Sequence, residues 1–211
     1  MKIVALAQQK GGVGKSSLAI GLAVFAVGKG KSAAIVELDP QGTVRRWNER
    51  RNSPGVTAKP AVLSIEPSQL AGTLATLKTA GTDWVFLDLP GRNAPAVNAG
   101  IRVADLVLIP ARPLDVDLEA SDETIAAAQR LARPYAFVMN ITPTRGARAE
   151  QWAEGLRKAG HAVAEPIIAE RIQVPDAIAE GQGVSEYDPK GKAAEELAEL
   201  WGWINKRTSK T

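Results

Sequence analysis

Residues 8–17 read Gln8-Gln-Lys-Gly-Gly-Val-Gly-Lys-Ser-Ser17, between a short apolar run, 2–7, and a longer apolar segment, 18–25. An apolar run, a glycine-rich turn and a second apolar segment of helical length predict a buried strand, a phosphate-binding loop and a helix whose N-terminus faces the phosphates. The glycines let the backbone turn so that successive N–H groups point into one concavity. This stretch therefore predicts a nucleotide site.

Each residue type in this loop has a chemical use at a nucleotide. Lys15 would place a positive charge beside the β- and γ-phosphates, and the hydroxyl of Ser16 would bind Mg²⁺. Ser17 is placed to bind the α-phosphate. The residues predicted to bind the nucleotide through this loop are Gly11, Gly12, Val13, Gly14, Lys15, Ser16 and Ser17.

The loop departs from the usual pattern Gly-x-x-x-x-Gly-Lys-Ser/Thr, because Gln9 replaces the first glycine and a second lysine, Lys10, follows it. The form Lys-Gly-Gly-x-Gly-Lys-Ser resembles the deviant Walker A motif of the ParA/MinD superfamily of P-loop ATPases. The resemblance spans the whole chain and points to a short ParA-type (ParF-like) partition protein. It implies that Lys10 is catalytic in trans, reaching across a dimer interface to the nucleotide of the partner subunit.

A second motif follows the predicted strand 32–38, where the chain reads Asp39-Pro-Gln-Gly42. Ligands of open α/β sheets bind at the carboxyl ends of the strands, which places Asp39 beside the phosphates. The motif resembles switch I of the family, and this implies that Asp39 orients or activates the attacking water and joins the Mg²⁺ shell. Taken alone, Asp-Pro-x-Gly is also an ordinary turn.

A third motif ends the predicted strand 83–88 with Asp88 and continues to Gly91. An apolar strand ending in aspartate resembles Walker B, which holds the Mg²⁺ shell. The N–H of Gly91 would sense the γ-phosphate. Gly91 stands where the commonest ParA form, Asp-x-Pro-Pro, has its second proline.

A fourth predicted strand tip, 135–140, ends in Asn140, which reads the adenine base in the family. A GTPase would use Asn-Lys-x-Asp here, because the carboxylate accepts the guanine N1 and N2 hydrogens. This chain has Asn140-Ile-Thr-Pro143 and no acid, so the pattern favours adenine.

The remaining pattern alternates strands and helices, which predicts an α/β fold. The expected architecture is a single domain over 1–211, a doubly wound, mostly parallel sheet with helices on both faces. The other predicted strands are 61–65, 104–110 and 162–168, and the other predicted helices are 43–51, 67–79, 93–103, 116–131, 149–159 and 190–206.

Composition restricts the class of protein. The chain has 211 residues, no cysteine and a net charge of +3, and no apolar run is long enough for a signal peptide or a membrane span. We expect a cytoplasmic protein without thiolate metal sites, which excludes an iron–sulfur reductase. The mild basic excess permits DNA binding. The DNA contacts proposed on the resemblance are Arg171, Lys206, Arg207 and Lys210, with the arginines of 45–51 as a competing group that otherwise forms a solvated charged face.

The resemblance implies a Mg²⁺-dependent ATPase that forms a homodimer around two ATP molecules, associates nonspecifically with nucleoid DNA in the ATP state, and moves plasmid, chromosome or protein cargo. With no helix-turn-helix region before Lys2, specific recognition would belong to an adaptor, a ParB-type or ribbon-helix-helix protein. A MinD-like membrane ATPase is one alternative, since 197–207 is partly amphipathic. Helical spacing of Leu197, Leu200 and Ile204 favours core packing instead. A biosynthetic ligase of the dethiobiotin or cobyrinate type is the other alternative.

Overall fold

The computed structural model describes residues 1–52, 59–92 and 94–209. Over those residues the strands are β1 (Lys2–Leu6), β2 (Ala33–Glu37), β3 (Ala61–Ser64), β4 (Trp84–Asp88), β5 (Leu106–Ala111) and β6 (Tyr135–Met139). The helices are α1 (Lys15–Gly28), α2 (Thr43–Arg51), α3 (Leu70–Thr79), α4 (Ala94–Val103), α5 (Asp115–Glu119), α6 (Asp122–Arg130), α7 (Arg148–Lys158), α8 (Gln173–Ala179), α9 (Val184–Tyr187) and α10 (Lys192–Thr208).

The strands form one sheet in the order β3-β2-β4-β1-β5-β6, and every pairing within it is parallel. Leu6 of β1 and Glu37 of β2 both lie level with Asp88 of β4. The loops that follow β1, β2 and β4 therefore leave the same edge of the sheet. The predicted α/β fold with a parallel sheet is confirmed.

Both faces of the sheet are covered, and alternation along β1 divides the core. Val4 and Leu6 belong to a cluster with α1 and α10, while Ala5 and Ala7 belong to a cluster on the opposite face with α3, α4, α6 and α7. Side chains alternate along a strand, so an all-apolar strand requires an apolar layer on each side. This explains why the strand residues read as continuous apolar runs.

The helix predicted over 116–131 is wrong as a single element, because the chain breaks between α5 and α6. Ser121 lies at the break, as the residue that precedes α6. Its N–H donates to the Leu118 carbonyl at 2.8 Å, and its hydroxyl donates to the Asp117 carbonyl at 2.9 Å. The side chain thereby takes the acceptor that the Ser121 N–H would use in a continuous helix.

The strand predicted over 162–168 is also wrong. This segment is joined to the sheet edge only by isolated bridges, Phe137 to Val163 and Thr142 to Ala169, among the described residues. Pro166 lies between the two bridges and has no N–H to donate to a ladder, so regular pairing cannot continue through it.

Smaller differences concern helix ends and faces. The first helix begins at Lys15, inside the loop motif, and the helix predicted from Pro67 begins with a 3₁₀ turn, Pro67–Gln69. On α2, Arg45, Arg46 and Arg50 are exposed, but Trp47 and Arg51 are buried, so the expectation of a fully solvated arginine face is wrong for its last arginine. The predicted helix start at Asn93 and the DNA candidate Lys210 lie outside the described residues.

The last helix docks on the core as its spacing predicted. Leu197, Leu200 and Ile204 are buried against α1, and the half-buried Trp201 contacts the rings of Phe25 and Trp84. Within the described residues, no helix combines the length and the apolar composition needed to cross a bilayer.

Candidate nucleotide-binding site

The loop between β1 and α1 has the backbone that a phosphate cradle requires. Gly12 and Gly14 have φ values of 74° and 87°, in the left-handed region that side chains disfavour. The N-terminus of α1 has no side-chain cap and no acidic residue in its first turn. Its first N–H groups are therefore open to an anion, and the helix dipole favours negative charge there.

Lys15 lies folded into this loop. Its Nζ donates to the carbonyl of Gln8 at 3.0 Å and to that of Lys10 at 3.3 Å, and the side chain is buried. Burial lowers the pKa of Lys15, and the charges of Asp88 and Asp39 partly oppose that effect. The ammonium is thus held at the centre of the loop with two carboxylates near it.

Asp88 and Ser16 meet under the loop. The Ser16 hydroxyl donates to Asp88 Oδ2 at 2.6 Å. Asp88 is fully buried, and its Oδ1 has no hydrogen-bond partner among the described residues. A buried carboxylate oxygen without a partner is costly unless a cation or a donor reaches it.

This pair fits Mg²⁺, which prefers oxygen ligands. Magnesium usually keeps several waters and takes one or two carboxylates plus substrate phosphates. No group of three or more histidine, cysteine, aspartate or glutamate side chains that could hold a metal is found among the described residues, at this site or elsewhere, so an ion here would also need phosphate oxygens and water. Ser16 and Asp88 would therefore hold the ion, with Asp39 near enough to influence the pKa of Asp88.

Burial raises the pKa of Asp88 from 3.8 to about 7, opposed by the Ser16 hydrogen bond and the charge of Lys15. At a pH between these two pKa values, Asp88 is protonated in the folded state and ionised in the unfolded state. The free energy of unfolding therefore falls as the pH rises from about 4 to about 7. The shift corresponds to a free energy of the order of 4 kcal/mol.

We therefore expect Asp88→Asn to stabilise the nucleotide-free protein at pH 8 relative to the parental protein, and to change little at pH 4. The difference in the free energy of unfolding, measured by denaturant titration without Mg²⁺, isolates Asp88 because the other acids are common to both proteins. If the free energy of unfolding depended on pH in the same way in both proteins, burial would not hold the proton on Asp88.

The loop that carries Asp39 is a tight turn at the end of β2. The Gln41 N–H donates to Asp39 Oδ1 at 2.9 Å, and the Gly42 N–H donates to the Asp39 carbonyl at 3.1 Å. Gly42 has a φ of 65°, which allows α2 to begin directly after the turn. Asp39 is half-buried and lies at the same sheet edge as Asp88.

Gly91 lies against the start of the phosphate loop. A Cβ built on Gly91 would be 2.7 Å from the backbone oxygen of Gln9, so only glycine allows this approach. The segment after Asp88 is therefore packed directly on the loop, and the contact of the Gly91 N–H with the γ-phosphate stays a prediction.

Asn140 closes the other side of the loop. Its Nδ2 donates to the Val13 carbonyl at 2.7 Å, and a Cβ on Gly14 would lie 2.3 Å from that nitrogen. Beside it, Ile141 has a φ of 51°, a strained conformation for a β-branched residue.

A cavity of about 610 Å³ opens next to these residues. Gly14, Ser17 and Asn140 line its end at the loop, and Val174 and Ile178 of α8 form part of an apolar wall. The volume lies in the range of pockets that bury a small organic ligand. A nucleotide base extending from the phosphate loop would enter here.

Comparison with known protein families decides the class of this site. The family model for the CobQ/CobB/MinD/ParA nucleotide binding domain matches residues 4–184. The chain belongs to this ParA/MinD family.

Individual relatives agree with that assignment. The chain is 26% identical over 204 residues to the maintenance of carboxysome distribution protein A of Halothiobacillus neapolitanus, covering 93% of each chain. It is 27% identical over 224 residues to the chromosome-partitioning ATPase Soj of Thermus thermophilus, covering 90% of each. Among solved structures, the septum site-determining protein MinD of Pyrococcus horikoshii, complexed with Mg-ADP, has a TM-score of 0.77 and 15% identity over 97% of this chain and 96% of that one.

The structure of this ParA/MinD-family chain also contains polar residues that the sequence reasoning did not single out. Gln8 is buried, and its Nε2 donates to the Asp117 carbonyl and the Ser121 hydroxyl while its Oε1 accepts from the Gln9 N–H. It thereby fixes the first residue of the loop to the break between α5 and α6. The sequence signal that could have identified Gln8 is its position as a polar residue directly after an apolar strand.

Asp117 contributes to the surroundings of Lys10. Burial alone would raise the Asp117 pKa, but hydrogen bonds from Arg112 and the charge of Lys10 lower it. Arg112 Nε lies 2.8 Å from Asp117 Oδ2. Lys10 itself is half-buried at the edge of the loop.

The DNA candidates have different surroundings. Arg171 is 2.6 Å from Glu196 in a partly buried ion pair, which reduces its availability to a phosphate. Lys206 and Arg207 are exposed on the last turns of α10, and Arg207 lies 4.7 Å over the Trp203 ring. The structure does not bring Arg171 together with these two residues into one side-chain cluster.

Proposed function

We propose that this protein is a Mg²⁺-dependent ATPase that positions or partitions a cargo. The observation that carries the proposal is the convergence of Lys15, Ser16, Asp88 and the Asp39 turn at one edge of the sheet, with a buried oxygen of Asp88 left for a cation. The curated relatives named above are a carboxysome-distribution protein and a chromosome-partitioning ATPase. Both have roles in positioning.

Within this proposal the residues act mainly through position and charge. Mg²⁺, when bound, neutralises phosphate charge. Lys15 does the same from the loop, Asp39 holds the attacking water, and Gly91 contacts the γ-phosphate through its N–H. Phosphoryl transfer depends on such positioning and electrostatic stabilisation rather than on covalent chemistry by the protein.

The proposal extends to assembly. Lys10 would complete the site of a second copy, so that ATP is bound between two subunits. Its place at the rim of the loop, half-buried rather than folded inward like Lys15, supports this role. An adaptor protein would stimulate hydrolysis in the cytoplasm and thereby release the dimer.

DNA and a membrane are the two surfaces considered for the ATP form, and the packing of α10 distinguishes between them. Docking of Leu200 and Ile204 in the core removes the apolar face that a membrane-binding helix would need, which supports DNA. Lys206 and Arg207 are the exposed candidates, and Arg45, Arg46 and Arg50 of α2 are the alternative group. The family model also covers CobQ and CobB, but the curated relatives named above are positioning proteins, which favours positioning over the biosynthetic ligase alternative.

Cosedimentation with DNA or with liposomes tests which of the two the ATP form binds. In the presence of Mg²⁺ and a non-hydrolysable ATP analogue, we expect the protein to sediment with random-sequence DNA and not with anionic liposomes, and to do neither with ADP. Binding should weaken steeply with salt, because each neutralised phosphate releases counterions with a slope of about −0.9 per contact.

Lys206→Gln with Arg207→Gln should reduce the magnitude of that slope by about 2 per subunit, and so by about 4 for a dimer that contacts DNA through both subunits. Glu154→Gln, which changes an exposed acid on α7, serves as the control. If the protein sedimented with liposomes but not with DNA, it would be assigned to the membrane-binding class. An unchanged slope would remove Lys206 and Arg207 from the DNA surface.

A further inference from the structure

The last residue of α2, Arg51, is a buried arginine. Only 3% of its side chain is exposed. Its Nε donates to the Lys59 carbonyl at 2.7 Å and its Nη1 to the Gly181 carbonyl at 2.9 Å. Nη1 and Nη2 also donate to the two carboxylate oxygens of Glu186 at 2.8 and 2.7 Å. The guanidinium thus joins the end of α2 to α9 and to the segment between α8 and α9.

Two neighbours on α2 strengthen this junction. Trp47 is fully buried, and its Nε1 donates to the Gln182 carbonyl at 3.0 Å. Arg50 Nε donates to the Ile178 carbonyl of α8 at 3.2 Å. A Cβ on Gly181 would lie 2.6 Å from the Arg51 nitrogen, so the two backbones touch there. We call this junction the α2–α8 clamp.

The opposite end of α2 is fixed to the strand that delivers Asp39. Glu37 is buried, and its carboxylate accepts the N–H of Val44 at 2.7 Å and that of Arg45 at 3.2 Å. Arg46 Nη1 donates to the Gln41 carbonyl, inside the Asp39 turn, at 2.5 Å. The first turn of α2 and the Asp39 turn therefore share one hydrogen-bonded unit.

The clamp also reaches the nucleotide cavity. Ile178 and Val174 of α8 and Val184 of α9 line the cavity whose other end is formed by Gly14 and Asn140. Helix α2 therefore connects the Asp39 turn at one end with the wall of the cavity at the other.

We propose that Arg51 is a positioning residue, which acts through α2 to hold the Asp39 turn in a fixed place relative to the cavity wall formed by α8. This inference rests on the proposed ATPase function. A bidentate arginine–carboxylate pair with two further carbonyl acceptors fixes orientation as well as distance. Loss of the clamp leaves Asp39 on its turn but allows the turn to shift.

The kinetic test compares Arg51→Met with Glu186→Gln, which removes the partner charge while keeping a side chain of the same shape. We expect the kcat for ATP hydrolysis to fall by about tenfold or more in Arg51→Met, since a misplacement of about 1 Å can cost ~10²-fold. Glu186→Gln should show a smaller fall. The Kd for ATP, measured with a fluorescent analogue, should change little, because the phosphate loop is intact.

Each variant is assayed well below its own melting temperature. The matched control is Glu154→Gln, which removes the exposed Glu154–Lys158 pair on α7 and should leave kcat unchanged. A lower melting temperature with parental kcat would overturn the proposal and leave Arg51 a purely structural residue. A rise in Kd with unchanged kcat would overturn it as well.

A distance measurement without nucleotide tests the clamp independently. The chain has no cysteine, so spin labels can be placed at single new cysteines replacing the exposed Glu49 on α2 and Glu180 after α8. We expect a narrow distance distribution in the parental background and a broader one in Arg51→Met and Glu186→Gln. Equal widths would overturn the clamp even if kcat falls.

The two readouts separate this inference from the proposed function. A parental protein that hydrolyses no ATP would overturn the proposed function, and the role given to Arg51 with it, whatever the distances show. A parental protein that hydrolyses ATP, with variants at the parental kcat, would overturn the inference alone.

Discussion

Replacing Lys15 by alanine should abolish nucleotide binding, whereas replacing Asp39 by alanine should preserve binding and abolish hydrolysis. Lys15 is buried at the centre of the loop, and its Nζ is the positive charge that we propose to lie beside the phosphates. Truncating one partner of a buried charged pair costs about 2–5 kcal/mol, which corresponds to a loss of about 1.5 to 3.5 orders of magnitude in affinity. Asp39 lies on a separate turn, and in the proposed function it would act on the water rather than on the bound phosphates.

Titration of each variant with a fluorescent ATP analogue, together with phosphate release, separates these two effects. Asp39→Asn is the matched control for Asp39→Ala, since it keeps the size of the side chain and an oxygen for the Gln41 N–H. Melting curves establish that each variant is folded. Hydrolysis by Asp39→Ala at the parental rate would contradict the role given to switch I.

Mixing two inactive variants, Lys10→Ala and Lys15→Ala, should restore ATP hydrolysis. If Lys10 acts across the dimer interface, Lys10→Ala binds ATP through its intact Lys15 loop but lacks the lysine from its partner. In a mixed dimer, the Lys15→Ala subunit supplies that Lys10. One of the two sites is then complete.

The expected activity depends on how many dimers are mixed. Neither variant should dimerise alone, because Lys10→Ala lacks the lysine that acts in trans and Lys15→Ala binds no ATP. The dimers that form on mixing at equal concentrations are then mixed dimers with one complete site of two, so activity should rise to at most about half of the parental value if sites are independent. A second mixture, Lys10→Ala with the double variant Lys10→Ala/Lys15→Ala, is the control and should stay inactive. Activity of Lys10→Ala alone at the parental level would contradict the action in trans.

The features that could be predicted from the sequence are set by residues that lie close together in the chain. Apolar runs ending in Asp39, Asp88 and Asn140 were enough to place these residues at one edge of a parallel sheet, because the carboxyl ends of such strands share an edge. The sheet register confirms this for Asp88, level with Leu6 and Glu37. The roles of these residues in binding and hydrolysis stay predictions.

The features that could not be predicted arise from contacts between distant residues. The break between α5 and α6 lies at Ser121, whose hydroxyl accepts a hydrogen bond from Gln8, more than a hundred positions earlier. Arg51 reads as one more surface arginine until Glu186 and Gly181 are folded against it. Glu37 gave a local signal, since a charge inside an apolar strand must be paired when buried, but its partners on α2 became visible only in the structure.

In the proposed assembly ATP, and not ADP, joins two copies of this chain, and sedimentation velocity of Asp39→Ala measures this directly. This variant should bind ATP without consuming it, so the assembly can be observed at equilibrium. With Mg²⁺ and ATP we expect a single species of twice the 22.3 kDa chain mass, and with Mg²⁺ and ADP a species of the chain mass. Lys10→Ala in the same background should remain at the chain mass with either nucleotide. The same mass for Asp39→Ala with ATP and with ADP would show that ATP does not join the two subunits.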